Sequence, residues 1–162
     1  MGAYFNIMFE LVRNKIKYLM QINTSVLIQK IIQEDEILKA QIIDLNTENQ
    51  LFEKGIDSLG RTLESIGGNY SPYTIQIKLS KGHPTDRITL NDTGAFYNSF
   101  KVKAPQRAKY IEITANPYKD GTNIIEEWGG AILGLTTENK EFLANEIKIR
   151  LLDKIREYLL AA

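Results

Sequence analysis

Cysteine is absent from this 162-residue sequence, and histidine occurs once, as His83. Without cysteine the chain can form neither a disulfide nor a cysteine-rich structural zinc site. A metal or acid–base site built on imidazole would have to use His83. Asp86 and Asp92 lie near it in sequence, but Gly82-His83-Pro84 is typical of a turn. A small hydrolase centred on His83 is one functional hypothesis that the sequence leaves open.

An excess of charge of one sign is also absent. The 20 Lys and Arg residues balance the 20 Asp and Glu residues. This balance argues against a surface built entirely for nucleic acid, since such domains usually carry an excess of basic side chains. No apolar run approaches the roughly 18 residues that a bilayer-spanning helix needs. We expect a soluble protein without a membrane contact, whose hydrophobic residues (43%) form a real core.

Proline does not occur before Pro72, and the pattern from residue 5 to about residue 53 predicts helix. The first apolar series ends near Asn23-Thr24-Ser25, which can cap a second helix. We therefore favour two helices over one long helix. The second apolar stripe is broad, as expected for packing against a sheet or a neighbouring subunit. The apolar positions are Leu11, Ile16, Leu19, Met20, Ile28, Ile31, Ile32, Leu38, Ile42, Ile43 and Leu45.

The stretch from residue 55 to residue 73 is polar and punctuated by glycine and proline, which predicts a long loop. Loops of this length are uncommon inside compact domains and tend to be functional or bound to a partner. The sequence therefore divides into a helical N-terminal segment, residues 1–54, and an α+β region, residues 55–162, which together form one compact unit. The punctuating residues are Gly55, Gly60, Gly67, Gly68 and Pro72.

Alternating apolar residues predict strands in the second half of the chain. The first predicted strand begins at Tyr73 and carries Ile75, Ile77 and Leu79. Two further alternating runs, 100–104 and 111–115, are joined by a short polar segment and predict an antiparallel hairpin. Between the first strand and the hairpin, Asp92-Thr93-Gly94 opens a turn or short helix that carries Phe96, Tyr97 and Phe100.

A helix of good quality closes the chain, with Thr136 or Thr137 as its cap and Glu138 in its first turn. The order of helices, then strands, then a helix indicates an α+β fold. In this fold an antiparallel sheet is packed by the C-terminal helix and preceded by the long helical segment.

The sequence predicts no active site and no cofactor. Glu126-Glu127 is an adjacent carboxylate pair, and its members diverge on either a helix or a strand. Gly67-Gly68 and Gly129-Gly130 lack the Lys-Ser/Thr that follows a phosphate-binding loop. The serines stand in no nucleophile-elbow pattern. We therefore predict that the chain is not an enzyme.

Basic residues concentrate between residues 78 and 109. This stretch contains seven basic residues and only two acidic ones, Asp86 and Asp92. Such an excess could contact DNA or an acidic partner. Charges at outward strand positions that protect a sheet edge are the alternative explanation. A nucleic-acid-binding module that uses this region is thus the second functional hypothesis. Its candidate residues are Lys78, Lys81, Arg87, Lys101, Lys103, Arg107 and Lys109.

Five short motifs follow one another from Gly55 to the C-terminus. Asp57-Ser58-Leu59-Gly60 precedes Ser71-Pro72-Tyr73-Thr74, and Thr93-Gly94-Ala95-Phe96-Tyr97-Asn98-Ser99-Phe100 comes next. Glu127-Trp128-Gly129 and Ile132-Leu133-Gly134-Leu135-Thr136 precede the closing helix. In this order they resemble the tail-completion and virion-morphogenesis proteins of tailed bacteriophages. The resemblance covers about two thirds of the chain and lacks the arginine that often precedes the Gly-Leu-Ser/Thr element.

The resemblance implies a structural virion protein that forms a sixfold or twelvefold homo-oligomeric ring in the neck. Such a ring connects portal and head-completion proteins to the tail, is made in the host bacterial cytoplasm and can meet genomic DNA in passing. It implies no cofactor and no membrane partner. Aromatic anchors dominate many interfaces, so we expect contacts through Trp128, Tyr70, Tyr73 and Phe52. We also expect that a chain without residues 1–50 folds but fails to assemble.

Overall fold

The computed structural model describes residues 2–106, 110–119 and 121–161. It is a mixed helical and antiparallel structure, which confirms the α+β prediction. Its helices are α1 (Gly2–Gln21), α2 (Thr24–Glu34), α3 (Glu36–Asp44), a π-helical segment (Leu45–Lys54), α4 (Glu64–Gly67), α5 (Pro72–Ser80), α6 (Ala95–Asn98), α7 (Ile124–Trp128), a 3-10 turn (Gly130–Ile132) and α8 (Thr137–Ala161). Its strands are β1 (Lys101–Lys103), β2 (Glu112–Thr114), β3 (Tyr118–Lys119) and β4 (Thr122–Asn123).

Side-chain caps divide the N-terminal helical segment. The Asn23 side chain accepts a hydrogen bond from Val26 N at 3.2 Å, which confirms the predicted break between α1 and α2. A second break falls at Asp35, whose carboxylate accepts from Leu38 N at 2.9 Å and begins α3. The prediction of two helices missed this second break, because an aspartate inside a helical pattern is not by itself a helix boundary.

The predicted strand that begins at Tyr73 is wrong, because this segment is the helix α5. Ser71 accepts a hydrogen bond from Thr74 N at 3.1 Å, and Pro72 follows it in the first turn. A serine cap followed by proline is a strong helix-start signal. It outweighs the alternation of three apolar residues. The loop predicted for residues 55–73 also contains structure, namely α4 and a bridge between Ile56 and Thr62.

The predicted hairpin is confirmed. β1 and β2 pair antiparallel, with Lys101 opposite Thr114 and Lys103 opposite Glu112. A second small hairpin, β3 with β4, follows and was not predicted. Its two strands have only two residues each, too few for alternation to be detected.

Two hydrophobic clusters form the core. The first gathers Leu51 and Leu63 with the aromatic rings of Phe96, Phe100 and Trp128. The second joins α2 and α3 to the hairpin and α8, and its buried members are Leu27, Ile31, Ile32, Leu38, Ile42, Ala104, Leu135 and Leu143. The helical N-terminal segment thus shares its core with the rest of the chain. These contacts argue against the expectation that the chain folds without residues 1–50.

Within the ranges given above, no helix combines the length and the apolar character that a membrane crossing requires.

Candidate assembly surfaces

The Asp57-Ser58-Leu59-Gly60 motif forms a tight loop around a buried carboxylate. Asp57 accepts hydrogen bonds from the backbone N–H groups of Leu59 and Arg61 at 2.9 and 3.0 Å. The Arg61 guanidinium closes the loop from outside, with Nε 2.8 Å from the second carboxylate oxygen. Gly60 has a φ of +77°, a conformation that glycine adopts at little cost. The motif therefore encodes a loop conformation.

The loop at Asp57 packs against the Ile132-Leu133-Gly134-Leu135-Thr136 motif. Ser58 N donates to Ala131 O at 2.9 Å. A Cβ at Gly134 would lie 3.3 Å from Ser58 Cβ, so only glycine fits there comfortably. Two motifs that are far apart in sequence thus form one corner of the molecule.

Buried amide side chains hold the same corner from beneath. Asn46 donates to Ile132 O at 3.0 Å and accepts from Gly134 N at 2.8 Å. Gln50 donates to Gly134 O at 2.9 Å and accepts from Thr136 N at 2.8 Å. These two side chains on the π-helical segment pair with the backbone much as a neighbouring strand would. Sequence reasoning missed them, since a polar residue in a helical pattern is normally placed on the solvent side.

Asn139 completes this network from the first turns of α8. Its amide donates to Gln50 Oε1 at 2.9 Å and to Leu45 O at 3.1 Å. Asn139 and Gln50 are both buried, and buried polar groups of this kind stabilise a structure only when they are hydrogen-bonded. We call Asn46, Gln50 and Asn139 the amide junction.

The Thr93–Phe100 motif builds the aromatic part of the first cluster. Gly94 has a φ of +78° and begins α6. The rings of Phe96 and Phe100 meet edge to face, with centroids 5.1 Å apart. Ser99 Oγ accepts from Asn116 N at 2.9 Å, just after β2, so it ties α6 to the end of the hairpin.

Tyr97 is buried beside these rings and donates to Thr89 O at 2.5 Å. Its burial, and after it the charge of Glu48, raises the pKa of the Tyr97 phenol far above its ordinary value. The phenol is therefore a neutral hydrogen-bond donor in the core.

Two of the four aromatic interface candidates, Trp128 and Tyr70, pack against other residues of the same chain. Trp128 has only 9% of its surface exposed, and its ring packs directly on Gly67, where a Cβ would lie 2.4 Å from the indole. The Tyr70 hydroxyl accepts from Thr89 N at 2.9 Å. Both side chains pack in or against the first cluster, Trp128 as a buried member and Tyr70 as a partly buried one.

The other two candidates differ in exposure. Phe52 is partly buried and meets the His83 ring edge-on, with centroids 6.5 Å apart. Tyr73 lies on α5 with 73% of its surface exposed. Tyr73 is thus the candidate of this set that is most available for contact.

Lys78 does not belong to a basic surface, because only 5% of the residue is exposed. Its ammonium donates to Thr89 Oγ1 at 3.1 Å and to Asn91 O at 2.7 Å, and it lies 4.8 Å from the centre of the Tyr70 ring. A strand would have pointed Lys78 outward from its apolar neighbours. The helix α5 instead turns it toward the core, which corrects the predicted position.

Acidic neighbours neutralise two more of the basic candidates. Lys81 pairs with Asp92, which also meets Lys119, and the hydrogen bond from Lys81 is the main reason that the pKa of Asp92 is lowered. Arg87 pairs with Asp86 and donates to the Phe52 carbonyl at 2.8 Å.

Lys101 and Lys103 remain exposed on the outer face of β1. Arg107 and Lys109 lie outside the described residues. The basic set that sequence reasoning assembled is therefore divided by the fold between core, ion pairs and one strand face.

His83, the residue of the hydrolase hypothesis, lies beside Phe52 in the turn after α5. Within the described chain its buried Nδ1 has no hydrogen-bond partner. The described residues also contain no cluster of three or more His, Cys, Asp or Glu side chains with metal-binding geometry. His83 thus stands without the acidic partners, Asp86 and Asp92, which are instead paired with Arg87 and Lys81.

An open apolar groove lies between α2, β2 and the first half of α8. Its volume is about 760 Å³. Ser58 and Gly134, which contact each other, also line it. We call it the groove, and its main apolar walls are Ile28, Ile32, Ile111, Ile113, Leu143, Ala144 and Ile147.

A second apolar surface lies on α1. Val12, Ile16, Leu19 and Met20 follow one another at helical spacing, and their exposed fractions range from 39% to 82%. We call these four residues the α1 stripe. At the edge of this stripe, Lys15 Nζ donates to Leu159 O at 2.9 Å and ties α1 to the end of α8.

Comparison of the chain with protein-family models, with curated proteins and with solved structures finds no match.

Proposed function

We propose that this chain is a structural, non-enzymatic virion protein of a tailed bacteriophage. In this proposal many copies form a ring in the neck and connect the portal and head-completion proteins to the tail. The motif resemblance gives the proposal its biological setting. The large exposed surface area of the chain gives the proposal a physical basis, and it is the observation that carries the most weight.

The chain has more surface than a compact monomer of its mass. It exposes 10748 Å² at a mass of 18.5 kDa, whereas a compact monomer of that mass exposes about 8,200 Å². The excess is about 2,500 Å², more than the roughly 800 Å² per partner that a standard interface buries. The exposed apolar side chains of the α1 stripe contribute to it. A chain that is covered by neighbours on two sides would have such a surface.

The polar groups of the motifs support an assembly role from another direction. Asp57 is bound to Arg61 and to the loop backbone, and the amide junction is bound to residues 132–136. Tyr97 is held neutral in the core. These groups already have partners inside the chain, so their role in the motifs is to shape the loops and the core.

Native mass spectrometry and negative-stain electron microscopy test the proposal on the full chain, alone and mixed with portal and tail proteins of a tailed phage. We expect closed rings, either alone or on the portal. A chain that stays monomeric beside every virion component would overturn the proposal, as would turnover of a small molecule that is lost in His83→Ala.

A nucleic-acid role predicts a different outcome in the same preparation. Lys101 and Lys103 could touch DNA that passes through a ring. A module that works mainly by binding duplex would contact several phosphates and lose affinity steeply with salt. We expect weak duplex binding that changes little when both lysines are replaced by glutamine. Tight, steeply salt-dependent binding that this change abolishes would favour the alternative.

A further inference from the structure

We infer that the α1 stripe of one copy docks in the groove of the next copy, and that this contact builds the ring. The inference rests on the proposed function and names the two surfaces that would meet. The α1 stripe presents positions i, i+4, i+7 and i+8 from Val12 to Met20, which is the pattern by which a helix is read in an apolar groove.

The two surfaces lie apart on a single chain, so α1 does not fill its own groove. Lys15 of α1 contacts α8 at Leu159, near its last turn. The groove uses α8 residues from Lys140 to Ile147. Ile147 and Leu159 are separated by about 18 Å along the helix at 1.5 Å per residue. Among the described residues, each copy thus has a groove that α1 does not fill and a helix stripe that is exposed.

A contact between different patches is also what a ring requires. Heterologous contacts join one surface of a subunit to another surface of its neighbour, and they close into a ring when the rotation permits. Each subunit then takes part in two contacts, once through its stripe and once through its groove. Shared between two contacts, the excess surface is about 1,250 Å² for each, which is enough for a stable interface.

Cysteine crosslinking tests the contact directly, because the natural chain contains no cysteine. Ile16→Cys and Ala144→Cys are prepared as separate single variants of the full chain, one of them isotopically labelled. They are mixed under assembly conditions and oxidised. We expect a disulfide between position 16 of one chain and position 144 of the other, identified by mass spectrometry. As a control, Gln76→Cys on the exposed face of α5 replaces Ala144→Cys and should give no such link.

The outcomes separate this inference from the proposed function. Rings that form without the 16–144 link overturn the inference and leave the proposed function standing. The absence of rings overturns both. A double variant that crosslinks only within one chain also overturns the inference, since α1 would then fill its own groove.

A charge placed in the α1 stripe provides a second measurement. We expect Ile16→Glu to raise the concentration needed for assembly at least about tenfold, since a buried unpaired carboxylate is costly at an interface. Its thermal unfolding midpoint should stay close to that of the natural chain, because Ile16 is half exposed. Asn14→Glu adds the same charge on another side of α1 and should assemble normally. Equal effects of the two variants would contradict the inference.

Discussion

The amide junction and the α1 stripe both lie on helices, but they differ in which side chains are buried and which are exposed. In the junction, polar side chains of a helix are buried and bind the backbone of residues 132–136. In α1, apolar side chains of a helix are exposed. One region has satisfied its hydrogen bonds inside the chain, and the other has apolar surface that the chain itself does not cover. We therefore expect substitutions in the junction to change stability and, if the proposed function holds, substitutions in the α1 stripe to change assembly.

The comparison predicts that two N-terminal deletions will behave differently, and this is the largest expected effect. Removing residues 1–50 takes away Leu27, Ile31, Ile32, Leu38 and Ile42, five of the eight buried residues of the second cluster, and with them Asn46 and Gln50. We expect this chain to be unfolded by circular dichroism and amide exchange. Removing residues 1–21 deletes α1 alone and should leave a folded monomer that does not assemble. A cooperative, folded chain after the longer deletion would contradict the comparison.

A single substitution at the centre of the junction should lower the free energy of unfolding several times more than a substitution on the surface. Gln50→Ala removes the partner of Thr136 N and of Gly134 O, and it removes one of the hydrogen bonds of the Asn139 amide, which keeps its bond to Leu45 O. We expect the free energy of unfolding to fall by about 2–4 kcal/mol, since each unsatisfied buried group costs about 1–3 kcal/mol. Gln76→Ala is the matched control, because Gln76 is exposed on α5. It should change the free energy of unfolding by less than about 0.5 kcal/mol. Urea unfolding of both variants makes the measurement.

The sequence predicted the parts of this comparison that depend on local pattern. Helix caps such as Asn23, the hairpin runs around Val102 and Ile113 and the aromatic pair Phe96 and Phe100 have local signals, and all of them are where they were expected. The α5 segment was missed because three alternating apolar residues were given more weight than the cap at Ser71. A cap fixes a backbone hydrogen bond, whereas alternation over so short a run fits a partly buried helix as well.

Placement of the candidate site could be predicted only in part. The amide junction joins residues that are 84 or more positions apart, and nothing local marks Asn46 or Gln50 as buried. For the same reason Lys78 and Trp128, which look like surface residues in sequence, lie in the core. The sequence predicted an apolar series on α1 that includes Ile16, Leu19 and Met20, but not its exposure, because exposure depends on what the rest of the chain leaves uncovered.

A substitution at Gly67, which packs tightly against Trp128, should have a smaller effect and tests whether Trp128 is a core residue or an interface residue. Gly67→Ala would place a Cβ 2.4 Å from the indole, so the ring must move. We expect a loss of about 1–3 kcal/mol in the free energy of unfolding, the usual cost of overpacking, with assembly unchanged per folded chain. Gly130→Ala is the control, since a Cβ there meets no atom within 4 Å. If Gly67→Ala blocked assembly without loss of stability, Trp128 would be an interface residue after all.

The smallest expected effect concerns Asp35, which links the N-terminal helices to α8 and so lies between the two regions. The backbone N–H of Leu38, and then the Arg150 guanidinium, lower the pKa of Asp35 below its ordinary value. Because the folded-state pKa is lowered, the stabilisation is present above the unfolded-state pKa of about 3.9 and is lost as pH falls through the folded-state pKa. Asp35→Asn keeps a capping side chain but loses the charge, so we expect a loss of about 0.5–1 kcal/mol at pH 7.

Urea unfolding of Asp35→Asn and the natural chain at pH 7 and pH 3 measures this dependence, and the difference between the two proteins should shrink at the lower pH. Asp153→Asn removes a more exposed partner, the one that pairs with Arg156, and should change stability less at either pH. A difference at Asp35 that does not depend on pH would mean that the charge of Asp35 contributes little to stability. The helical segment would then be held to the rest of the chain by contacts that do not need this charge, among them its apolar contacts, the amide junction and the hydrogen bond from Gln33 to Ala104 O.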